Sequence, residues 1–275
     1  MSVLLQIQYP NLYGYEPSKG LAIAAIAAFS LVTIIITILT IKFKKWYFFI
    51  ISIAGAVEVA GYGTRLLSAN DTHNLGVYIA TTLLILLPPT ALACADYILV
   101  SKVMKKTGIS HPIFKPKFVK FFFLGIDVFS LIIQSTGGAL LSQAKDNLQK
   151  PAEAIMLLGL SVALASFVFF FFIVIYIHYK IRNVQEPDSK WRRIIYALYI
   201  TVFLLVLRSI YRVCEYAGGW MNPIQRSEPT FYACDTLLIF FLMCVWVPLH
   251  PGFFNLKPDN SKSKPTVTRG DVEME

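Results

Sequence analysis

The sequence is poor in charged residues for its length. Of its 275 residues only 15% are Asp, Glu, Lys or Arg, whereas 56% are hydrophobic. A soluble domain has about 25% charged residues, and the long apolar runs instead predict a polytopic membrane protein. The net charge of +9 does not indicate a nucleic-acid partner, because the basic residues lie between the apolar runs, as they do in membrane proteins.

Residues that hold metals or cofactors are few and scattered. The four cysteines all fall inside apolar runs without metal-like spacing, and the four histidines are dispersed. These residues are Cys94, Cys214, Cys234, Cys244, His73, His111, His178 and His250. A zinc hydrolase is therefore disfavoured, and we expect neither a metal nor another cofactor.

Signatures of several membrane-protein classes are also missing. The last apolar run has no lysine for a retinal Schiff base, and Asp127 is not preceded by the Gly-x-Gly of intramembrane aspartyl proteases. No Gly-x-x-x-x-Gly-Lys-Ser/Thr loop for ATP occurs, nor do the Asp-Arg-Tyr and Asn-Pro-x-x-Tyr signatures of G-protein-coupled receptors. The start of the chain lacks the basic region of a cleaved signal peptide. We predict a protein that is not an enzyme, with an intramembrane hydrolase as the least favoured alternative.

Seven apolar runs are each long enough to cross a bilayer as a helix. They are Leu21–Ile41, Trp46–Leu67, Leu75–Val100, Phe118–Leu141, Ala154–Tyr176, Ile194–Glu215 and Phe231–Leu249. The predicted fold is an all-α membrane protein, a bundle of seven transmembrane helices over residues 21–250. Residues 1–20 are predicted to be extracellular, and the polar residues 251–275 a disordered cytoplasmic tail.

The distribution of basic residues predicts the orientation of the bundle. Of the 25 lysines and arginines, 18 lie in the tail and in the connections 1–2, 3–4 and 5–6, four lie on the other side, and three lie within spans. Since cytoplasmic loops are rich in Lys and Arg, the N-terminus is predicted outside and the C-terminus in the cytoplasm. The sequon at Asn70 then falls in an outer loop, but so close to the membrane that we expect it to be unused.

Polar residues on one face of the sixth span are the main anomaly. Arg208, Tyr211, Arg212 and Glu215 follow the spacing i, i+3, i+4 and i+7 and therefore share a helix face. An ionised group at mid-membrane costs roughly 2.5–3.5 kcal/mol, so each needs a partner, water or a function. Arg212 can reach Glu215 on its own helix, whereas Arg208 needs an acid from another helix.

Other spans carry similar polar faces. They contain Glu58, Tyr62 and Arg65 in the second span, Asp127 and Gln134 in the fourth, and Glu228, Tyr232 and Asp235 at the start of the seventh. A rise of about 1.5 Å per residue places Glu58, Asp127 and Arg208 near mid-membrane and the others nearer the outer face. We therefore predict two polar layers, with Glu58 or Asp127 as the partner of Arg208 and Asp235 or Glu215 as the partner of Arg65.

Two interpretations of these polar faces stay open. They can line a substrate cavity, or they can form an ion-pair network that only fixes helix register. Asp96, in the third span, can likewise be a buried group or one that reaches the cytoplasmic interface. Pro88-Pro89 in the same span should kink the helix and free carbonyl groups that neighbours must satisfy. Gly137-Gly138 and Gly218-Gly219 should allow close backbone approach.

Six short motifs, in order along the chain, resemble the fungal RTA-like family, also called the lipid-translocating exporter family. They are Tyr13-Gly14-Tyr15-x-Pro17-Ser18, Glu58-x-x-Gly61-Tyr62-x-x-Arg65, Asp127-x-x-Ser130-x-x-x-Gln134-x-x-Gly137-Gly138, Arg208-x-x-Tyr211-Arg212-x-x-Glu215, Glu228-x-x-x-Tyr232-x-x-Asp235 and His250-Pro251-Gly252. The resemblance implies a multi-pass protein, most often of the plasma membrane, that exports or translocates lipids or amphipathic toxic compounds and confers resistance to them.

The cargo implied by the resemblance is an amphipathic small molecule such as a sphingoid base or a sterol amine, with membrane lipids as partners. A porphyrin or haem transporter is an alternative within the same family. A seven-helix sensor that regulates lipid asymmetry through other proteins is a second alternative, because a ligand pocket and a transport pathway carry the same residue types. On the transport hypothesis the acids hold a cationic headgroup and the arginines balance them when the site is empty.

Overall fold

The computed structural model describes residues 15, 17–70, 74–107, 116–143, 146–184, 189–219 and 222–253. Most of the predicted N-terminal segment, the predicted tail from residue 254, and Thr72 of the sequon lie outside the described residues. Asn70 itself is described and is exposed at the end of the second helix.

Seven helices long and apolar enough to cross a membrane are present in the described part of the chain. They are α1 (Lys19–Lys42), α2 (Phe49–Ser68, preceded by the 3₁₀ turn Trp46–Phe48), α3 (Leu75–Thr107), α4 (Pro116–Gln143), α5 (Asp146–Val184), α6 (Ser189–Ala217) and α7 (Glu228–Val245). The predicted seven-helix fold is confirmed.

The helix ends differ most from prediction in α3, α5 and α7. Hydropathy marks only the lipid-facing length of a helix, whereas α3 and α5 continue as helix through polar residues at their ends. α7 begins at Glu228, before the predicted Phe231, and ends at Val245, before the predicted Leu249. It also contains a π-helical turn at Tyr232–Thr236. As a result, Asp235 lies farther along its helix than the sequence predicts.

Each helix packs against the next one in the chain, and α7 returns to contact both α1 and α6. In the apolar stretch of α3, 67% of the residues are buried inside the protein, whereas only 28% are buried in the apolar stretches of α1 and α4. α3 is therefore the central helix of the bundle, while α1 and α4 present most of their apolar residues to the surroundings, as lipid contact requires.

The chain after α7 is fixed to the α1–α2 connection by His250. This side chain is fully buried, and its Nδ1 accepts a hydrogen bond from the Gly252 amide at 3.0 Å. Burial, and secondarily the positive charge of Lys45, lowers the pKa of His250 to about 4, so the ring is neutral at pH 7. A neutral ring that accepts at Nδ1 carries its hydrogen on Nε2, which therefore donates to the Thr40 hydroxyl 3.3 Å away.

Helices α4 and α5 approach so closely that a methyl group does not fit between them at one position. A Cβ added to Gly137 would lie 2.6 Å from the backbone nitrogen of Met156 on α5. A Cβ added to the neighbouring Gly138 would meet no other described part of the protein within 4 Å. The predicted close approach is therefore confirmed at Gly137 and is wrong at Gly138.

We expect Gly137→Ala to destabilise the protein by about 1–3 kcal/mol, because the added methyl forces α4 and α5 apart. Gly138→Ala is the matched control and should leave stability unchanged or raise it slightly, since alanine is the better helix former. Thermal unfolding of both variants in detergent, followed by intrinsic fluorescence, compares them. Equal melting temperatures would contradict the close approach.

Candidate functional site

Asp235 on α7 joins the two arginines of α6. Its Oδ1 lies 2.7 Å from Arg208 Nε, and its Oδ2 lies 2.7 Å from Arg212 Nη2. Arg212 Nε also donates to Oδ1 at 3.0 Å. All three side chains are buried. Because Asp235 lies in the π-helical turn of α7, a feature frequent at functional sites, the local helix irregularity coincides with the centre of the charge cluster.

The proline doublet of α3 supplies another acceptor for Arg208. Pro89 has no amide hydrogen, so the carbonyl of Ile85, four residues earlier, has no intrahelical donor. Arg208 Nη2 donates to this oxygen at 3.4 Å. The prediction that a neighbouring helix satisfies a freed carbonyl is confirmed, and the unusual Pro88-Pro89 sequence becomes part of the charge cluster.

The predicted partners of Arg208 were wrong. Neither Glu58 nor Asp127 forms an ion pair with it in the described part of the chain, and Asp235 takes that place. The prediction counts the depth of Asp235 in the membrane from Phe231. It therefore takes no account of the earlier start of α7 or of its π turn. The prediction that Arg212 reaches Glu215 on its own helix is confirmed, because Arg212 Nη1 donates to Glu215 Oε2 at 2.9 Å.

Arg65 on α2 also has partners other than those predicted. It pairs with Glu228 Oε1 at 3.4 Å and donates to the Tyr15 hydroxyl at 2.7 Å, whereas Asp235 and Glu215 were predicted. Glu228 in turn accepts hydrogen bonds from the Ser18 amide at 2.9 and 3.1 Å. The N-terminal motif and the start of α7 are thereby tied together, which sequence spacing on single helices cannot reveal.

Aromatic rings separate the arginines. Phe231 lies between two of them, with its ring centre 4.5 Å from Arg65 Cζ and 5.5 Å from Arg212 Cζ. Such contacts stabilise a cation by about 0.5–2 kcal/mol and screen two like charges from each other. Tyr232 is also near Arg65, at 5.4 Å. A role for Phe231 is not predictable from the sequence, since a phenylalanine in a span is usually lipid-facing.

Three further predicted site residues, Tyr62, Tyr211 and Glu58, lie beside the charge cluster. The Tyr62 hydroxyl donates to Thr236 Oγ1 at 2.6 Å. Tyr211 is buried, and its hydroxyl has no hydrogen-bond partner in the described part of the chain. Glu58 is only 2% exposed, and its Oε2 likewise has no partner among the described residues. Glu58 is therefore near the cluster without being paired in it.

Two predicted site residues lie elsewhere. Asp127 on α4 accepts hydrogen bonds from Tyr97 at 2.5 Å and from Ser166 at 2.8 Å, which joins α3, α4 and α5. Gln134 donates to the Gly159 carbonyl at 3.2 Å across the α4–α5 contact. Both residues form hydrogen bonds with neutral groups and lie outside the arginine cluster.

Asp96 is fully buried, and the interpretation that it reaches the interface is wrong. Neither of its carboxyl oxygens has a hydrogen-bond partner in the described ranges.

A cavity of ≈ 60 Å³ opens onto the charge cluster. It is lined by Tyr15, Arg65, Tyr78, Thr81, Thr82, Ile85, Arg212, Glu215, Tyr216, Gln225 and Phe231. Pockets for whole drug-sized ligands measure about 300–1,000 Å³. This cavity therefore has room for a small polar headgroup but not for a lipid chain. Arg208, Glu58 and Asp235 are absent from its lining and lie behind it.

We expect Asp235→Asn to destabilise the protein by about 3–5 kcal/mol, because it leaves two buried arginines without their shared acid. Glu228→Gln is the control, since Glu228 pairs with one arginine at the longer distance of 3.4 Å and glutamine keeps an acceptor for the Ser18 amide. Thermal unfolding in detergent measures both. A smaller loss for Asp235→Asn than for Glu228→Gln would refute the central position of Asp235.

Comparison with known proteins agrees with the resemblance drawn from the motifs. A family model described as "RTA1 like protein" matches residues 51–257 of this chain. Protein RTA1 of Saccharomyces cerevisiae is 26% identical, with 88% of this chain and 85% of that protein covered. Protoporphyrin uptake protein 1 of the same species is 25% identical (82% and 87% covered). Sphingoid long-chain base transporter RSB1, also of that species, is 21% identical (96% and 79%).

No solved structure matches this chain. The family match extends over most of the sequence and includes five of the six motifs described above. The chain is an integral membrane protein with seven helices that belongs to the RTA1-like protein family.

Proposed function

We propose that this protein translocates or exports amphipathic molecules with a cationic headgroup, of which sphingoid bases are the model. Relatives named as a sphingoid long-chain base transporter and as a lipid-translocating exporter-like protein support a lipid-like cargo. In this proposal the protein is not an enzyme, and its cargo leaves chemically unchanged.

The cavity is the observation that carries the proposal. It brings the buried carboxylate of Glu215 together with the aromatic rings of Tyr78, Tyr216 and Phe231. At ≈ 60 Å³ it fits a headgroup only, so the apolar chain of the cargo stays in the bilayer while the headgroup passes through the protein. Such a division of the cargo avoids the cost of burying a charged group in hydrocarbon.

The cluster and the nearby Glu58 together contain four acids and three arginines, and this excess of acids favours a cation. Arg65 and Arg212 line the cavity, but both are already paired with acids within 3.4 Å. An arriving anion must therefore displace an acid from an arginine, whereas an arriving amine competes with Arg212 for the carboxylate of Glu215.

A porphyrin cargo is the second candidate, and one relative named for protoporphyrin uptake favours it. The two carboxylates of a porphyrin would pair with Arg65 and Arg212 in place of Glu228 and Glu215. A sensor that acts through other proteins is the remaining alternative, and it moves no lipid by itself.

We expect the purified protein in liposomes to move a radiolabelled sphingoid base, above the rate in protein-free liposomes. Glu215→Gln should slow this transport at least about tenfold, which corresponds to about 1.4 kcal/mol of lost headgroup interaction. Asp127→Asn is the matched control, because Asp127 is hydrogen-bonded away from the cavity. Mass spectrometry of the recovered lipid tests whether it is unchanged.

A transport rate no higher than in protein-free liposomes would favour the sensor, and protoporphyrin movement without sphingoid-base movement would favour the porphyrin transporter. Equal loss in Glu215→Gln and Asp127→Asn would remove the cavity from the proposal. A hydrolysed product would indicate the enzyme alternative.

We also propose the plasma membrane as the location, as the family resemblance implies. The N-terminus is proposed to be outside, on the support of the 18 basic residues assigned to one side. An epitope tag at the N-terminus should be stained on intact cells, and a tag at the C-terminus only after permeabilisation. The reverse staining pattern would overturn the orientation.

A further inference from the structure

Seven buried or half-buried charged residues form what we name the charge layer. It consists of Arg65, Arg208, Arg212, Glu58, Glu215, Glu228 and Asp235. Three of its members are bases and four are acids. Arg65 is paired with Glu228, while Arg208, Asp235, Arg212 and Glu215 form a continuous chain of pairs. These six charges cancel, and Glu58 is the one acid left over.

Glu58 is near the chain of pairs but outside it. The charged groups that act on it are Asp235 on α7, which repels a negative charge there, and Arg208 and Arg212 on α6, which attract one. None of these bases is within 4.0 Å of its oxygens in the described part of the protein. Tyr62, one turn along α2, is the other titratable neighbour.

The helices on either side of α2 add no charge at this level. Next to Gly55, α1 presents Thr33, and next to Gly61, α3 presents Leu84 and Ile85. An ionised carboxylate without a paired cation is costly in such buried surroundings, and the group becomes neutral instead. With the cavity empty, the charge layer is electrically balanced only if Glu58 carries a proton.

We propose that Glu58 binds a proton while the cavity is empty and releases it when a monovalent organic cation enters, so that the protein exchanges one cation for one proton. This inference rests on the proposed function and adds its energy source. A cation in the cavity adds one positive charge, and loss of the Glu58 proton adds one negative charge. The layer is thus balanced in both states, and the proton passes to water.

The pairing offers a route for this exchange without direct contact between cargo and Glu58. A cation beside Glu215 competes with Arg212 for that carboxylate. Arg212 then binds Asp235 more strongly, which weakens the contact between Arg208 and Asp235. Arg208 is thereby free to turn to the ionised Glu58. The three contacts to be exchanged lie between 2.7 and 2.9 Å, so small side-chain rotations suffice.

The test uses dodecyltrimethylammonium, whose fixed charge cannot itself titrate. Its binding to the purified protein is measured by calorimetry at pH 7 in two buffers with different ionisation enthalpies, which together give the number of protons released. We expect about one proton per bound cation for the wild type and about none for Glu58→Gln, which mimics the protonated acid. Asp127→Asn, a carboxyl-to-amide change outside the charge layer, should release the same number as the wild type.

The outcomes separate this inference from the proposed function. Absence of cation binding to the wild type overturns both. Binding without proton release overturns only the exchange, and proton release that persists in Glu58→Gln overturns the assignment to Glu58. If Glu58→Gln does not fold, infrared difference spectra of the wild type decide, because cation binding must then remove a protonated-carboxyl band. An unchanged band overturns the inference.

Discussion

The sharing of Asp235 between Arg208 and Arg212 is the interaction on which the interior of this bundle depends. Two like charges one turn apart on a helix repel each other, and within a membrane neither can rely on bulk water. A single carboxylate, reached by both guanidinium groups at 2.7 Å, converts this repulsion into a bond between α6 and α7. The remaining contacts of the cluster extend that bond to α3 through Ile85 and, through Phe231, to Arg65 on α2.

A buried ionic network can serve architecture alone, whereas this one combines contacts between helices with a cavity. Arg208 is sealed behind the cavity and holds three helices together. Arg65, Arg212 and Glu215 differ, because they line a space that admits a small group. The same cluster therefore has a structural inner part and an accessible outer part, joined by Asp235. A change of partner at Arg212 therefore also alters the contact between Asp235 and Arg208.

Hydropathy was sufficient to predict the number of helices and their order, because a run of about twenty apolar residues has few alternatives to a helix in a bilayer. Helical spacing was sufficient for the Arg212–Glu215 pair, which involves one helix only. It failed for Arg208 and Arg65, because partners on different helices depend on relative depth, and a π turn in α7 changes depth without any mark in composition. Asp127 carried the same chemical signal as Glu58, but its hydrogen bonds to Tyr97 and Ser166 depend on the packing of three helices.

The position of Asp235 on α7 also constrains biosynthesis. The ribosome completes α6, with its two arginines, before it has made Asp235, the acid that pairs with both. An arginine at helix-centre depth costs about 2.5–3.5 kcal/mol during insertion, so α6 enters the bilayer more favourably together with its partner acid than alone. Since α7 carries both this acid and an apolar surface, insertion of the two helices as a hairpin is favoured, and the pairing of Arg208 with Asp235 forms only when α7 is in place.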